Sequence, residues 1–125
     1  MLKGAVLYAK NLEDLVAFYV GLGGQIIDQR PGEYGIIGYE DGELSIVQSP
    51  DRIASQNVVE QPPAPRAMNP LKPVFSVSSL SDCLSAISVN GGVTLPGSST
   101  WEFRGNRIQD VVDPEGNIIQ LQQTI

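Results

Sequence analysis

The sequence predicts an α+β fold made of two modules with the same order: strand, helix, strand, strand, strand. Three observations carry this expectation. The signals from Ala9 to Gly24 recur 68 positions further on, from Val77 to Gly92. In each copy a polar helix start (Asn11, Ser79) is followed three residues later by an acid (Asp14, Asp82), and a glycine stands past the helix end (Gly23, Gly91). Those residue types cap a helix and complement its dipole. Each helix is then followed by short β-like runs separated by turn residues, so that one structural unit is used twice.

Taken in order, Leu2 to Ala9 reads as a strand, and Asn11 caps a helix in which Leu12, Leu15, Val16 and Tyr19 share one face. The helix ends at Gly21-Leu22-Gly23-Gly24. Strands are expected at Gln25–Arg30, Tyr34–Tyr39 and Leu44–Ser49, broken by the turn pairs Pro31-Gly32 and Asp41-Gly42. From Pro50 to Pro70 the composition shifts to proline, glutamine, alanine and asparagine, with Pro62-Pro63-Ala64-Pro65 at its centre. Proline fixes φ and donates no hydrogen bond, which predicts an extended linker.

The second copy follows the same pattern. A strand is expected over Lys72–Val77, then the helix capped by Ser79, Val93–Leu95, a loop Pro96–Thr100 and a strand around Trp101–Phe103. A hairpin closes the chain, Arg107–Val112 and Asn117–Gln122 flanking Asp113-Pro114-Glu115-Gly116, whose residues suit a tight turn. The organisation expected is one domain, with a first module at 1–49, a linker at 50–71 and a second module at 72–125.

The totals narrow the function classes. The chain has 125 residues, and a module of half that size buries too little surface to be stable alone, so the modules are expected to pack on each other or on another chain. No apolar run is long enough to cross a bilayer, and the N-terminus carries no signal-peptide pattern, so the expectation is a soluble cytoplasmic protein with no membrane partner. The single cysteine, Cys83, fits a reducing compartment. It falls in an apolar stripe with Leu80, Leu84 and Ile87, which reads as packing; no histidine exists to activate it as a nucleophile. Net charge is −6, with nine acids against four bases in residues 1–60 and five against four in residues 61–125. Nucleic acid is excluded as a partner for want of a basic patch. The acidity is open to two readings, attraction of a cationic ligand or plain solubility.

At this point the chain resembles the vicinal oxygen chelate superfamily, the glyoxalase, bleomycin-resistance and extradiol dioxygenase group. The resemblance rests on Leu12 through Phe18-Tyr19 after the first strand, on Gly23-Gly24, and above all on Asp113-Pro114-Glu115-Gly116-Asn117-Ile118-Ile119-Gln120-Leu121. It implies two βαβββ modules whose curved mixed sheets form a cup. Metal-dependent members hold a divalent ion with histidine or glutamine on the first strand of a module and glutamate on the last. Carried over, those sites fall on Gly4 and Lys72, and on Ile46 and Gln120. Glycine and isoleucine cannot ligate, lysine is normally protonated and glutamine is a weak neutral donor, so no metal and no other cofactor is expected.

Strand alternation then predicts the lining of the cup. With Gly4, Ile46, Lys72 and Gln120 inward, Val6, Tyr8, Leu44, Gln48, Val74, Ser76, Ile118 and Gln122 share their face, and Leu7, Val47, Phe75, Val77, Ile119 and Leu121 pack on the helices. The mixed inward set is the composition of a small-molecule site, although Gln48 and Gln122 near strand ends are equally readable as solvated. Lys72 is either a base or anion partner in the cup, or a lysine reaching to water. Arg104 and Arg107 suit a carboxylate or phosphate, or a plain surface hairpin. Trp101 is either part of an aromatic wall with Tyr34 and Tyr39 or a core residue. The candidate ligand contacts are therefore Tyr8, Ile46, Gln48, Lys72, Ser76, Trp101, Arg107, Gln120 and Gln122. The function expected is metal-independent small-molecule binding by a homodimer, as in the antibiotic-sequestering bleomycin-resistance members; the alternative is a glyoxalase-like lyase or isomerase with a different active site, using Lys72 or Glu102.

Overall fold

The computed structural model describes residues 1–125, which divide into two compact units, Met1–Val58 and Val59–Ile125. The first unit contains strand β1 (Gly4–Ala9), helix α1 (Leu12–Val20), strands β2 (Gln25–Arg30), β3 (Tyr34–Tyr39) and β4 (Gly42–Gln48), and the short helix α2 (Asp51–Ala54). Its sheet has the order β1-β4-β3-β2, with β1 parallel to β4 and the other neighbours antiparallel. The second unit contains β5 (Val74–Ser76), α3 (Leu80–Val89), β6 (Val93–Thr94), β7 (Trp101–Phe103), β8 (Asn106–Val112) and β9 (Ile118–Thr124). Its order is β5-β9-β8-β6, again with a parallel pair, β5 and β9, and with β7 also paired to β8. Strands β6 and β7 share β8 in the way that β2 alone covers β3, so the unit is a βαβββ repeat whose second strand is interrupted. The α+β class and the duplicated order are as the sequence predicts.

The helix starts reveal a device shared by the two units. The amide of Leu12, the first residue of α1, donates to Gln48 Oε1 at the end of β4, 3.1 Å away. The amide of Leu80, the first residue of α3, donates to Gln123 Oε1 near the end of β9, 2.7 Å away. A helix leaves its first amides without intrahelical acceptors, and each unit meets that need with a glutamine from its last strand. The expected caps behave unequally: Ser79 accepts from the Asp82 amide at 3.2 Å, whereas Asn11 makes no side-chain capping bond. At the far end, Gly23 and Gly91 have φ of +101° and +85°, a conformation that glycine adopts without strain.

Each helix lies on one face of its own sheet. In the first unit Leu12, Leu15, Phe18 and Tyr19 are buried with Ile37, Leu44 and Ile46, and Phe18 meets Tyr19 edge-on with ring centroids 5.0 Å apart. The Tyr39 hydroxyl donates to the carbonyl oxygen of Tyr19 at 2.7 Å, satisfying a carbonyl near the end of α1. Burial pushes the Tyr39 phenol well above the ordinary tyrosine range. In the second unit the core is Val77, Leu80, Ile87, Val111, Ile119 and Leu121. Cys83 is half-buried, as the stripe predicts, and burial first and Asp82 second push its thiol up.

The turn after β8 is built around Asp113, which is fully buried. Its Oδ1 accepts from the amides of Glu115 (2.8 Å) and Asn117 (3.0 Å), and its Oδ2 from Asn117 Nδ2 (2.8 Å). Gly116 has φ +89°, and a Cβ there would lie 2.5 Å from the Ala64 carbonyl oxygen. Residues in the stretch read as an extended linker make hydrogen bonds within their own units. Asp51–Ala54 forms a helical turn and Lys10 Nζ donates to the Asn57 carbonyl at 2.6 Å, while the Arg66 amide donates to the Gly116 carbonyl at 2.9 Å. Proline removes donors from this stretch, and of those that remain the Arg66 amide reaches an acceptor outside it, while Asn57 contributes a carbonyl oxygen.

Candidate functional site

Pair registers assign every strand residue to a face. A Cβ on Gly35 would meet Val16 of α1 at 3.0 Å, so Gly35, Ile37 and Tyr39 face the helix. Their cross-strand neighbours Ile46, Leu44 and Gly42 do so too, and through the parallel register so do Ala5, Leu7 and Ala9. The helix-free face of the first sheet therefore carries Gly4, Val6 and Tyr8 from β1, Glu43, Ser45 and Val47 from β4, and Tyr34 and Ile36 from β3. Gly4, Val6 and Tyr8 lie where expected, but Ile46, Leu44, Gln48 and Val47 are turned the other way. Ile46 is fully buried under α1, and Gln48 is engaged by Leu12 and by the carbonyls of Lys10 (2.7 Å) and Ser49 (3.2 Å). A strand has period two, so a slip of one residue in aligning β4 exchanges its faces. The signal was present in the alternation itself: Leu44 and Ile46 alternate with Glu43 and Ser45, and the larger apolar pair takes the core. Tyr39 belongs to the same packed face and to the end of α1, not to a ligand wall with Tyr34.

In the second sheet, Val74 pairs with Gln120 and Ser76 with Gln122. Gln120 pairs with Asp110, Gln122 with Ile108, and Ile108 with Trp101. Val74, Ser76, Gln120, Gln122, Asp110, Ile108, Trp101 and Phe103 thus share the face away from α3. Ser76 and Trp101 are exposed, Trp101 by 37%. Arg107 does not belong to this set. It pairs with Gln123 and Glu102, whose alternation places it on the opposite face, where it is exposed.

On this face lies a connected polar row. Lys72 Nζ is 2.8 Å from Asp110 Oδ2, Gln120 Nε2 donates to Asp110 Oδ1 at 3.2 Å, and Gln122 Nε2 donates to Gln120 Oε1 at 2.8 Å. The side chains of Lys72 and Asp110 are 39% and 10% exposed, so the carboxylate is the buried member and the ammonium the accessible one. Sequence reasoning picked out Lys72, Gln120 and Gln122 but missed Asp110. A carboxylate flanked on its own face by Ile108 and Val112 was the available signal, since buried charge is kept only where it is paired. Gln109 was missed as well. It is buried and ties down the loop before β7, donating to Ser98 Oγ at 2.9 Å and accepting from Thr100 Oγ1 at 3.0 Å.

The repeat also corrects the metal-type positions. Val6 and Val74 are equivalent, and their strand partners are Ser45 and Gln120, so the last-strand position of the first unit is Ser45 rather than Ile46. These positions hold Gly4 and Ser45 in the first unit and Lys72 and Gln120 in the second: one lacks a side chain, one is cationic and two are neutral. No group of three or more His, Cys, Asp or Glu side chains is placed to hold a metal.

The chain carries the fold of the glyoxalase/bleomycin-resistance proteins. A glyoxalase/bleomycin resistance protein/dioxygenase family enzyme from Burkholderia phytofirmans PsJN superposes with a TM-score of 0.74 at 12% identity, over 98% of this chain and 98% of that one. A glyoxalase/bleomycin resistance protein from Albidiferax ferrireducens T118 gives 0.69 at 19% identity, over 100% and 99%. The fosfomycin resistance protein FosX from Mesorhizobium loti gives 0.68 at 10% identity, over 100% and 92%. No family model and no curated protein matches the sequence. No helix is long and apolar enough to cross a membrane.

Proposed function

We propose that the chain is a small-molecule-binding protein of the glyoxalase/bleomycin-resistance type whose binding does not depend on a metal. The observation that carries this reading is the row Lys72, Asp110, Gln120 and Gln122 on the helix-free face of the second sheet. Four polar side chains in mutual hydrogen bonding, set among Val74, Trp101 and Phe103, have the mixed composition of a ligand surface. Two of them, Lys72 and Gln120, occupy positions where metal-dependent members of the superfamily carry ligands. The contacts proposed are Lys72, Ser76, Trp101, Gln120 and Gln122, all of the second unit.

The same reading makes the protein a cytoplasmic homodimer. Apolar side chains on the helix-free faces, Val6 at 58% and Val74 at 54% exposed, favour covering by a second copy. Light scattering at micromolar concentration is expected to give twice the chain mass.

Elemental analysis of purified protein, followed by thermal-shift screening against metabolites and antibiotics with and without chelator, tests the reading. A compound at ten times its Kd raises stability by about 1.4 kcal/mol, and chelator leaves that gain intact. A stoichiometric, tightly held ion, or a ligand effect abolished by chelator, overturns it.

A further inference from the structure

We propose that the ligand of this face presents an uncharged carbonyl oxygen, as an amide or a ketone does, to the Lys72 ammonium, in preference to a carboxylate or a phosphate. The inference rests on the small-molecule reading above and narrows its ligand class.

The charge balance of the row decides the matter. Asp110 has both carboxylate oxygens engaged, Oδ2 by Lys72 at 2.8 Å and Oδ1 by Gln120 at 3.2 Å. An ammonium has three N–H groups and the Asp110 bond uses one, so donors remain on the accessible side of Lys72. An incoming carboxylate placed on those donors would share one cation with Asp110 directly behind it, in a chain whose net charge is already −6. A carbonyl oxygen accepts the same hydrogen bond without bringing a second negative charge.

The amides of the row follow from the same carboxylate. Asp110 accepts and cannot donate, so Gln120 turns its NH2 group toward it and its Oε1 away. That oxygen in turn draws the NH2 group of Gln122. The row therefore ends in donors at Lys72 and in the carbonyl oxygen of Gln122, which is left to accept an N–H or O–H of the ligand. Trp101 lies two strands from Gln122 on the same face, with Ile108 between them, and offers its ring to a planar body.

Three matched probes, benzamide, benzoate and benzylamine, are titrated into the intact protein by calorimetry, with the fluorescence of Trp101, the sole tryptophan, as a second readout. Benzamide is expected to bind about tenfold tighter than benzoate, and benzylamine not to compete. Asp110→Asn, nearly isosteric, releases the Lys72 charge; benzoate then gains about tenfold while benzamide stays within about threefold. Lys72→Met loses benzamide binding. Benzoate binding tighter than benzamide to the unaltered protein overturns the inference whether or not Asp110→Asn folds, and so does an unchanged ratio in a folded Asp110→Asn variant. Failure of all three probes overturns it too. In that case a compound from the wider screen that still stabilises the protein keeps the small-molecule reading alive, and a screen without any such compound ends both.

Discussion

Replacing the two strand glutamines that hold the helix starts, Gln48→Met and Gln123→Met, tests the duplicated architecture at its most specific point. Gln123 makes one bond, to the Leu80 amide at 2.7 Å, and methionine leaves that amide at the head of α3 without its acceptor. A part-buried donor orphaned in this way costs about 1.5 kcal/mol, or about 5 °C in Tm for a chain of this size. Gln48 accepts from Leu12 and also donates to the carbonyls of Lys10 and Ser49, so its replacement abolishes three bonds and is expected to cost about 2.5 kcal/mol, or about 9 °C. Glutamate sharpens the contrast. Gln123→Glu keeps an acceptor beside a helix N-terminus and stays within about 0.5 kcal/mol of the parent, because that end of the dipole favours negative charge. Gln48→Glu sets a carboxylate against two carbonyl oxygens and costs about 2 kcal/mol or more. Urea unfolding gives the stabilities, and amide exchange reports the locality: Leu80 should exchange faster only when Gln123 is changed, Leu12 only when Gln48 is changed. Equal losses for the two methionine variants, or losses below about 0.5 kcal/mol in both, would refute the assignment of these glutamines as helix-start acceptors.

Raising the pH should destabilise the fold through Tyr39. Its phenol is held protonated well above the ordinary value of 10.0 in the folded state, so above about pH 10 the unfolded chain binds fewer protons, and stability falls by up to about 1.4 kcal/mol per pH unit. In a pH series of chemical unfolding, Tyr39→Phe should flatten that alkaline decline while lowering stability at neutral pH by about 1 kcal/mol for the lost bond to Tyr19. Asp113→Ala strips three hydrogen bonds from a buried carboxylate, and is expected to cost about 3 kcal/mol by urea unfolding; a loss under about 1 kcal/mol would contradict the turn geometry. Cys83, its thiol pushed up by burial and by Asp82, should react with iodoacetamide at pH 8 more slowly than a free cysteine, and Asp82→Asn should recover part of the difference.

Much of this architecture is legible in the residues because the governing forces are local. Strands β2 and β3 occupy the spans that the turn pairs Pro31-Gly32 and Asp41-Gly42 mark out, and both helices begin and end where polar starts and glycines put them. Apolar stripes on α1 and α3 found their cores for the same reason. The misreadings share a different cause. Whether Leu44 or Val47 packs on α1 depends on how β4 registers with β1, a pairing across more than thirty residues of chain, and an error of one residue moved Ile46 and Gln48 to the wrong face. Arg107 was named for its charge rather than from strand alternation, and the β8 register sets it on the face opposite Gln122, exposed as a surface hairpin arginine.

What the sequence determined by itself was the duplicated βαβββ order, the tight Asp113 turn, and the unsuitability of residues such as Gly4 and Lys72 as metal ligands. Those depend on backbone propensities and on the chemistry of single side chains. Only the tertiary structure decided that Lys72 meets Asp110, that Asp110 orients Gln120 and through it Gln122, and that Gln48 and Gln123 serve the helices rather than a ligand. The bonds of Lys72, Gln48 and Gln123 join residues 38, 36 and 43 positions apart, and their partners are chosen by register and by the need to satisfy a buried charge or amide, which no local pattern encodes; the two amide bonds within the β8-β9 hairpin follow from the placing of the Asp110 carboxylate.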